Sequence, residues 1–148
     1  MKPSRGFFAV GIYHTKTEAN VGTLWRTANL FGASFIFTVG RRYKKQCSDT
    51  MNTPLHVPMF HFSDMEDLGA HRPHDSFLIG VELIETAIML PRFSHPERAI
   101  YLLGAEDHGL PPEVVAQCNR IIKLPGEYSM NVAVAGSIVL YDRWQKSQ

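Results

Sequence analysis

Two rhythms of apolar residues alternate along the chain. Unbroken apolar runs of strand length occur at Phe7–Tyr13 (F-F-A-V-G-I-Y), Ser34–Val39, Ser76–Leu83, Ala99–Gly104 and Ile121–Leu124. Between them lie stretches of helical period at Asn20–Gly32, Pro111–Asn119 and Ser129–Gln145. Weaker signals place a short strand at Leu55–Phe62 and a short helix at Asp64–Ala70. Runs without polar alternation fit strands buried on both faces, and strands alternating with helices build such sheets. The predicted fold is α/β: a mostly parallel sheet with helices on both faces, residues 1–148 forming a single domain. Asn20 is the expected N-cap of the first helix and Gly32 its expected stop. Pro111 and Pro112 suit a first helical turn.

The last helix has no polar side. On a helical wheel Val132 and Val139 share one face with Arg143, while Val134, Ile138, Tyr141 and Trp144 line another. A helix apolar on two sides is buried on two sides. One side can pack on the sheet. The other predicts a homodimer through this C-terminal helix, with Ala133, Ala135, Gly136 and Ser137 allowing close approach. Cover by a neighbouring helix of the same chain is the alternative.

Composition narrows the class. With 148 residues, 45% hydrophobic and 20% charged, the chain can bury a real core. The net charge of +1 announces no nucleic-acid partner, so any basic footprint must be local. Arg41-Arg42-Tyr43-Lys44-Lys45 is such a run, read either as a solvated loop or as a phosphate contact. Cys47 and Cys118 stand apart, which favours a reducing compartment. No run is long enough to span a bilayer and the N-terminus lacks a signal-peptide pattern, so the expected location is cytoplasmic and no membrane partner is expected. The seven histidines show no metal-ligand spacing, so no metal is expected.

The polar residues that stand out fall where strands end, the edge at which open parallel sheets bind ligands. In N-V-G-T-L-W-R-T-A, Arg26 projects opposite the apolar stripe of Val21, Leu24, Ala28 and Phe31. It is either a solvated charge or an anion clamp whose planar fork suits phosphate. In L-G-A-E-D-H-G-L-P, Gly104 and Gly109 bound a tight loop, and Glu106 can accept hydrogen bonds or cap a helix. In L-P-G-E-Y-S-M-N-V-A-V-A, Ser129 is a possible N-cap and Asn131 a local cap in the first turn. No dinucleotide or triphosphate loop occurs, so a nucleotide-like ligand needs another backbone arrangement.

Together these three stretches, Asn20–Ala28, Leu103–Pro111 and Leu124–Ala135, resemble the SpoU family within the SPOUT superfamily of RNA methyltransferases. The resemblance covers nearly the whole chain, with Met130 where many relatives carry Leu. It implies a C-terminal trefoil knot that forms a pocket for S-adenosyl-L-methionine. Carried over, Val81, Gly104, Leu124, Ser129 and Met130 would contact this cofactor, and Glu106 and Gly109 would shape its loop. Arg26 would reach a catalytic centre in the partner of a homodimer, with Asn20, Glu106, Ser129 and Asn131 around it. By its charge and not by the resemblance, the run Arg41, Arg42, Lys44 and Lys45 is the candidate RNA contact. The lack of an added RNA-binding domain resembles minimal members that methylate tRNA ribose near the anticodon.

The implied reaction is methyl transfer to a ribose 2′-hydroxyl of RNA, with tRNA favoured over rRNA. The competing reading is a knotted RNA-binding or assembly protein without catalysis. It is countered by the presence of Arg26, Glu106, Ser129 and Asn131 together. A flavodoxin-like nucleotide binder fits the α/β pattern but lacks its phosphate loop.

Overall fold

The computed structural model describes residues 6–41 and 56–148. Its strands are β1 (Phe7–Tyr13), β2 (Phe35–Val39), β3 (Met59–Phe62), β4 (Phe77–Val81), β5 (Ile88–Met89), β6 (Arg98–Leu103) and β7 (Arg120–Lys123). They form one sheet in the order β3-β2-β1-β6-β4-β7-β5, and every pairing is parallel. The helices are α1 (Glu18–Leu30), α2 (Met65–His71), α3 (Pro112–Val115) and α4 (Val132–Lys146).

The unbroken apolar runs feed two cores. Successive side chains point to opposite faces of a sheet. Val10, Ile12, Ile36, Tyr101 and Leu103 therefore join α1 and α4 on one side. Ala9, Phe37, Ile100 and Leu102 join Met65, Leu68 and Val114 of α2 and α3 on the other. The α/β class with helices on both faces is thus the observed one.

Element ends differ in instructive ways. The first helix begins earlier than expected, with Thr17 in the N-cap position, so Asn20 sits in the first turn and not at the cap. Gly32 does end it, at φ +83, after the C-cap Phe31. The third helix is shorter than Pro111–Asn119 and opens after Pro111. The last helix starts at Val132, because the Asn131 side chain and not Ser129 caps it. Strand β3 starts at Met59, and the earlier part of Leu55–Phe62 is not strand or lies outside the described residues. The two-residue β5 carried no periodicity to read.

Helix α4 buries Val132, Ala133, Ala135, Gly136, Val139 and Leu140. A Cβ on Gly136 would stand 2.6 Å from Leu24 Cδ1, so this glycine brings α4 close to α1. The second apolar face stays exposed in the single chain, with Val134 at 50%, Ile138 at 39%, Tyr141 at 53% and Trp144 at 45%. Neighbouring α1 therefore does not cover it.

The far end of α4 is tied down by a polar cluster under the sheet. His95, with its side chain 5% exposed, contacts Asp142 Oδ2 through Nε2 at 2.7 Å and Tyr101 Oη through Nδ1 at 2.6 Å. Arg143 donates to Tyr101 Oη at 3.1 Å and to the carbonyls of Pro96 and Glu97. Lys146 donates to the Leu90 and Phe93 carbonyls and pairs with Asp142. A carboxylate only accepts, so neutral His95 carries its proton on Nε2 and accepts from Tyr101 at Nδ1. Burial pushes the Tyr101 hydroxyl up to about 12. Burial also holds the His95 pKa below its ordinary value, against the opposing pull of Asp142.

A histidine kept neutral by the fold binds a proton more readily when unfolded, so stability rises with pH over the interval between its two pKa values. The contribution is intact above the ordinary histidine value of about 6.5 and is lost as pH falls below it. Urea midpoints should therefore decline from pH 7.5 to pH 5. A His95→Gln variant should start lower and show a shallower decline over the same range.

Candidate active site

The loops after β1 and β6 lie where the sheet order reverses, a position that favours a crevice. From there the Asn20 amide of α1 donates to Glu106 Oε1 in the loop after β6. Asn131 Nδ2 donates to Asn20 Oδ1 at 3.1 Å. Asn131 Oδ1 in turn accepts from the backbone N–H groups of Ala133 and Val134, at 2.9 and 3.2 Å. One chain of hydrogen bonds thus runs from a carboxylate, through two amides, to a helix N-terminus. It joins the three stretches singled out in the sequence.

Glu106 Oε2 is buried without a hydrogen-bond partner. A buried carboxylate oxygen left this way is costly, and it fits a ligand that brings a donor. Loops after β4, β6 and β7, three adjacent strands, line one cleft at the strand-end edge of the sheet, the edge at which open parallel sheets bind ligands. Val81, Gly104, Glu106, Gly109, Leu124, Ser129 and Met130 all line it.

Close approach explains the glycines. A Cβ on Gly104 would lie 2.3 Å from the Gly109 carbonyl carbon and 2.6 Å from Leu110 N. Gly109 has φ +60, and its Cβ would lie 2.2 Å from Glu82 Oε2. The loop is closed by Gly109 N–H donating to the Ala105 carbonyl at 2.9 Å. Glu82 fixes it from the side, accepting from Leu110 N at 2.6 Å and from Leu83 N at 2.9 Å.

Glu82 was not among the residues singled out in the sequence, nor were Lys123 and Tyr128, which also line the cleft. A charge at the end of the buried S-F-L-I-G-V run was the available signal for Glu82. Ser129 is exposed in the turn before α4 and lines the cleft, so its expected capping role falls away. Arg26 is half-buried on α1 and is not among the residues lining this cleft. Arg41 is exposed and donates to the carbonyls of Thr15 and Lys16. Arg42, Lys44 and Lys45 lie outside the described residues.

The model of the SpoU rRNA methylase family matches residues 8–141. The chain belongs to this family. An uncharacterized tRNA/rRNA methyltransferase of Archaeoglobus fulgidus is 26% identical over 92% of the chain and 63% of its own length. An AdoMet-bound rRNA methyltransferase from Sinorhizobium meliloti superposes with a TM-score of 0.85 at 23% identity, over 100% of this chain and 59% of that one. A structure described as addressing 2-OH methylation of C/U34 on tRNA gives a TM-score of 0.83 at 20% identity, over 96% of this chain and 97% of that one. The SpoU chain described here spans between 8% and 63% of the length of the curated relatives it matches. No helix among the described residues is long and apolar enough to cross a membrane.

The cap and the amide chain separate in their effects on stability. Asn131→Ala removes both and should cost about 1 kcal/mol in urea unfolding. Asn131→Asp keeps a capping oxygen but sets acceptor against acceptor at Asn20, and should cost less than half as much. An equal loss in both variants would place the stabilisation in the Asn20 contact.

Proposed function

We propose that this SpoU-family chain transfers a methyl group from S-adenosyl-L-methionine to a ribose 2′-hydroxyl of RNA, with tRNA favoured over rRNA. The observation that carries the reading is the cleft in which Glu106, Asn20 and Asn131 connect and one buried carboxylate oxygen lacks a donor. The glycine-closed loop fits a ligand held by backbone groups, since any Cβ at Gly104 or Gly109 would collide. Val81, Gly104, Leu124, Ser129 and Met130 would hold the cofactor, with Glu106 and Gly109 shaping its loop. The all-parallel strand order β6-β4-β7-β5 fits the knotted path that the resemblance implies. Support for tRNA comes from the neighbour concerned with C/U34 on tRNA and from a Mus musculus relative named as a tRNA (guanosine(18)-2'-O)-methyltransferase, 29% identical over 83% of this chain.

When bound, the cofactor supplies an electrophilic methyl carbon on a sulfonium. The chain's task is to present a 2′-oxygen in line and to ease loss of its proton. A guanidinium is a reluctant base, so Arg26 is not read as the proton acceptor. Its fork is suited instead to orienting a neighbouring phosphate and lowering the pKa of the hydroxyl. Because Arg26 lies outside the cleft of its own chain, a second copy would bring it to the partner's cleft. The exposed face of Val134, Ile138, Tyr141 and Trp144 offers the surface for that pairing. Asn20, Glu106, Ser129 and Asn131 would complete the centre. These parts act in one compartment, for which the cytoplasm remains the expected location.

The decisive experiment is incubation with methyl-labelled cofactor and either total tRNA or total rRNA, followed by mapping of the modified nucleotide by mass spectrometry. Label in a 2′-O-methyl nucleotide is expected. Cofactor binding by calorimetry without label in either RNA would favour a binding protein.

Arg26→Lys keeps the charge and loses the fork. It should lower transfer by about 10²-fold or more, the scale for removing one preorganised donor, with cofactor affinity within about twofold. Full activity in this variant would sink the clamp.

Ile138→Arg should give a monomer by sedimentation that binds the cofactor and transfers little. A variant that stays dimeric and active would move the subunit contact elsewhere.

A further inference from the structure

A second cleft backs onto the first through a wall one loop thick. Ala105 and Gly109 line both. On the far side the lining is Tyr13, His14, Lys16 and Arg41 from the ends of β1 and β2, with His108 and Pro111 from the wall loop.

His14 is the anomaly in this cleft. It is exposed and has φ 51, in the left-handed region that side chains other than glycine seldom occupy. Such strain persists where surrounding structure holds it, and it gathers at functional positions. The holders are identifiable. His14 N–H donates to the Val39 carbonyl at 2.8 Å. Its ring lies against Gly40, where a Cβ would stand 2.3 Å from Nε2. Tyr13 packs beside it, with ring centroids 4.3 Å apart and the planes tilted at 43°. The result is an aromatic surface fixed at the end of β1.

Cations surround it. Arg41 Nη1 is steered by the Thr15 and Lys16 carbonyls at 3.4 and 3.3 Å, and its other donors meet no acceptor among the described residues, so they can turn to a ligand. Lys16 pairs with Asp107 of the wall loop, and the Lys16 ammonium holds the Asp107 carboxyl below its ordinary pKa. Both groups of that pair are about half exposed, so a phosphate can compete for the lysine. An aromatic face with guanidinium and ammonium groups beside it is the equipment for one unstacked nucleotide: base on the rings, phosphate on the cations.

We propose that this cleft seats a single-stranded nucleotide of the substrate RNA next to the one that is methylated, its base against His14 and Tyr13 and its phosphate on Arg41 and Lys16. The inference rests on the RNA methyl-transfer reading above. It adds a binding position separate from the cofactor cleft, reached across the loop that carries Glu106.

The test uses fluorescently labelled total tRNA and total rRNA, each titrated with wild type, His14→Asn, His14→Phe and Arg41→Gln by anisotropy at several salt concentrations. Asn tolerates the left-handed backbone, so His14→Asn removes the ring without adding strain. It should weaken RNA binding by about tenfold, in line with the loss of one base–aromatic stack. His14→Phe should stay within about twofold. Arg41→Gln should weaken binding and reduce the salt slope by about one. Calorimetric affinity for S-adenosyl-L-methionine should be unchanged in all three. Unchanged RNA affinity in His14→Asn, equal loss in the Asn and Phe variants, or a parallel fall in cofactor affinity would each overturn the cleft assignment. If wild type labels RNA and the variants keep its RNA affinity, only this inference fails. If wild type neither binds nor labels either RNA, the methyl-transfer reading fails and takes this inference with it.

Discussion

The direction of four hydrogen bonds governs the centre of this molecule. Glu106 Oε1 accepts, so Asn20 turns its NH₂ toward it. The Asn20 carbonyl then has only one useful role, accepting from Asn131. Asn131 is left with its carbonyl free for the N–H groups that open α4. Both ends enforce the same sense, since backbone N–H groups can only donate. The chain spans 86 positions from Asn20 to Glu106 and 111 from Asn20 to Asn131. It therefore forms only when the first helix, the sixth strand and the last helix are all in place.

That constraint decides what the loops can be. Fixing Glu106 at the mouth of the β6 loop requires the chain to turn back within a few residues, and the Gly104–Gly109 contact is the outcome. Glu82 then holds Leu110 N–H from the end of the neighbouring strand, so β4 and β6 share responsibility for the same loop. One oxygen of Glu106 is spent on Asn20 and the other is sealed from water without a donor. A fold that builds so much around one carboxylate and leaves half of it unsatisfied is prepared for a ligand, because an apolar residue there would be less costly to bury.

Much of this was legible in the sequence. The strand Phe7–Tyr13 appears with the expected bounds, since an apolar run at the centre of a sheet leaves few alternatives. The five residues that the resemblance assigns to the cofactor and the two it assigns to the loop line one cleft, because each ends or follows a buried strand. What was not legible depends on partners far along the chain. Asn20 reads as a cap in isolation and becomes a bridge only when Glu106 arrives. Ser129 and Asn131 are both good capping residues, and the choice between them follows from Asn20 holding Asn131 in place. Glu82 shows locally only as a charge ending a buried run, and its acceptor role is defined by an N–H 28 positions away. Strand β5 is too short to show a period.

Helix α4 connects these features to the rest of the surface. Its first residue follows the capping Asn131, and its last two turns are held by His95, Tyr101 and the carbonyls that Arg143 and Lys146 reach. The helix is thus fixed at both ends, and Gly136 fixes its middle against Leu24. A helix pinned at three points keeps its remaining face in one orientation. Val134, Ile138, Tyr141 and Trp144 are consequently presented as a rigid apolar strip, with little conformational entropy left to lose on contact. Any surface that covers this strip is placed at a defined angle to Asn131, and so to the cleft. The same hydrogen bonds that shape the site therefore also set the geometry with which a second chain would meet it.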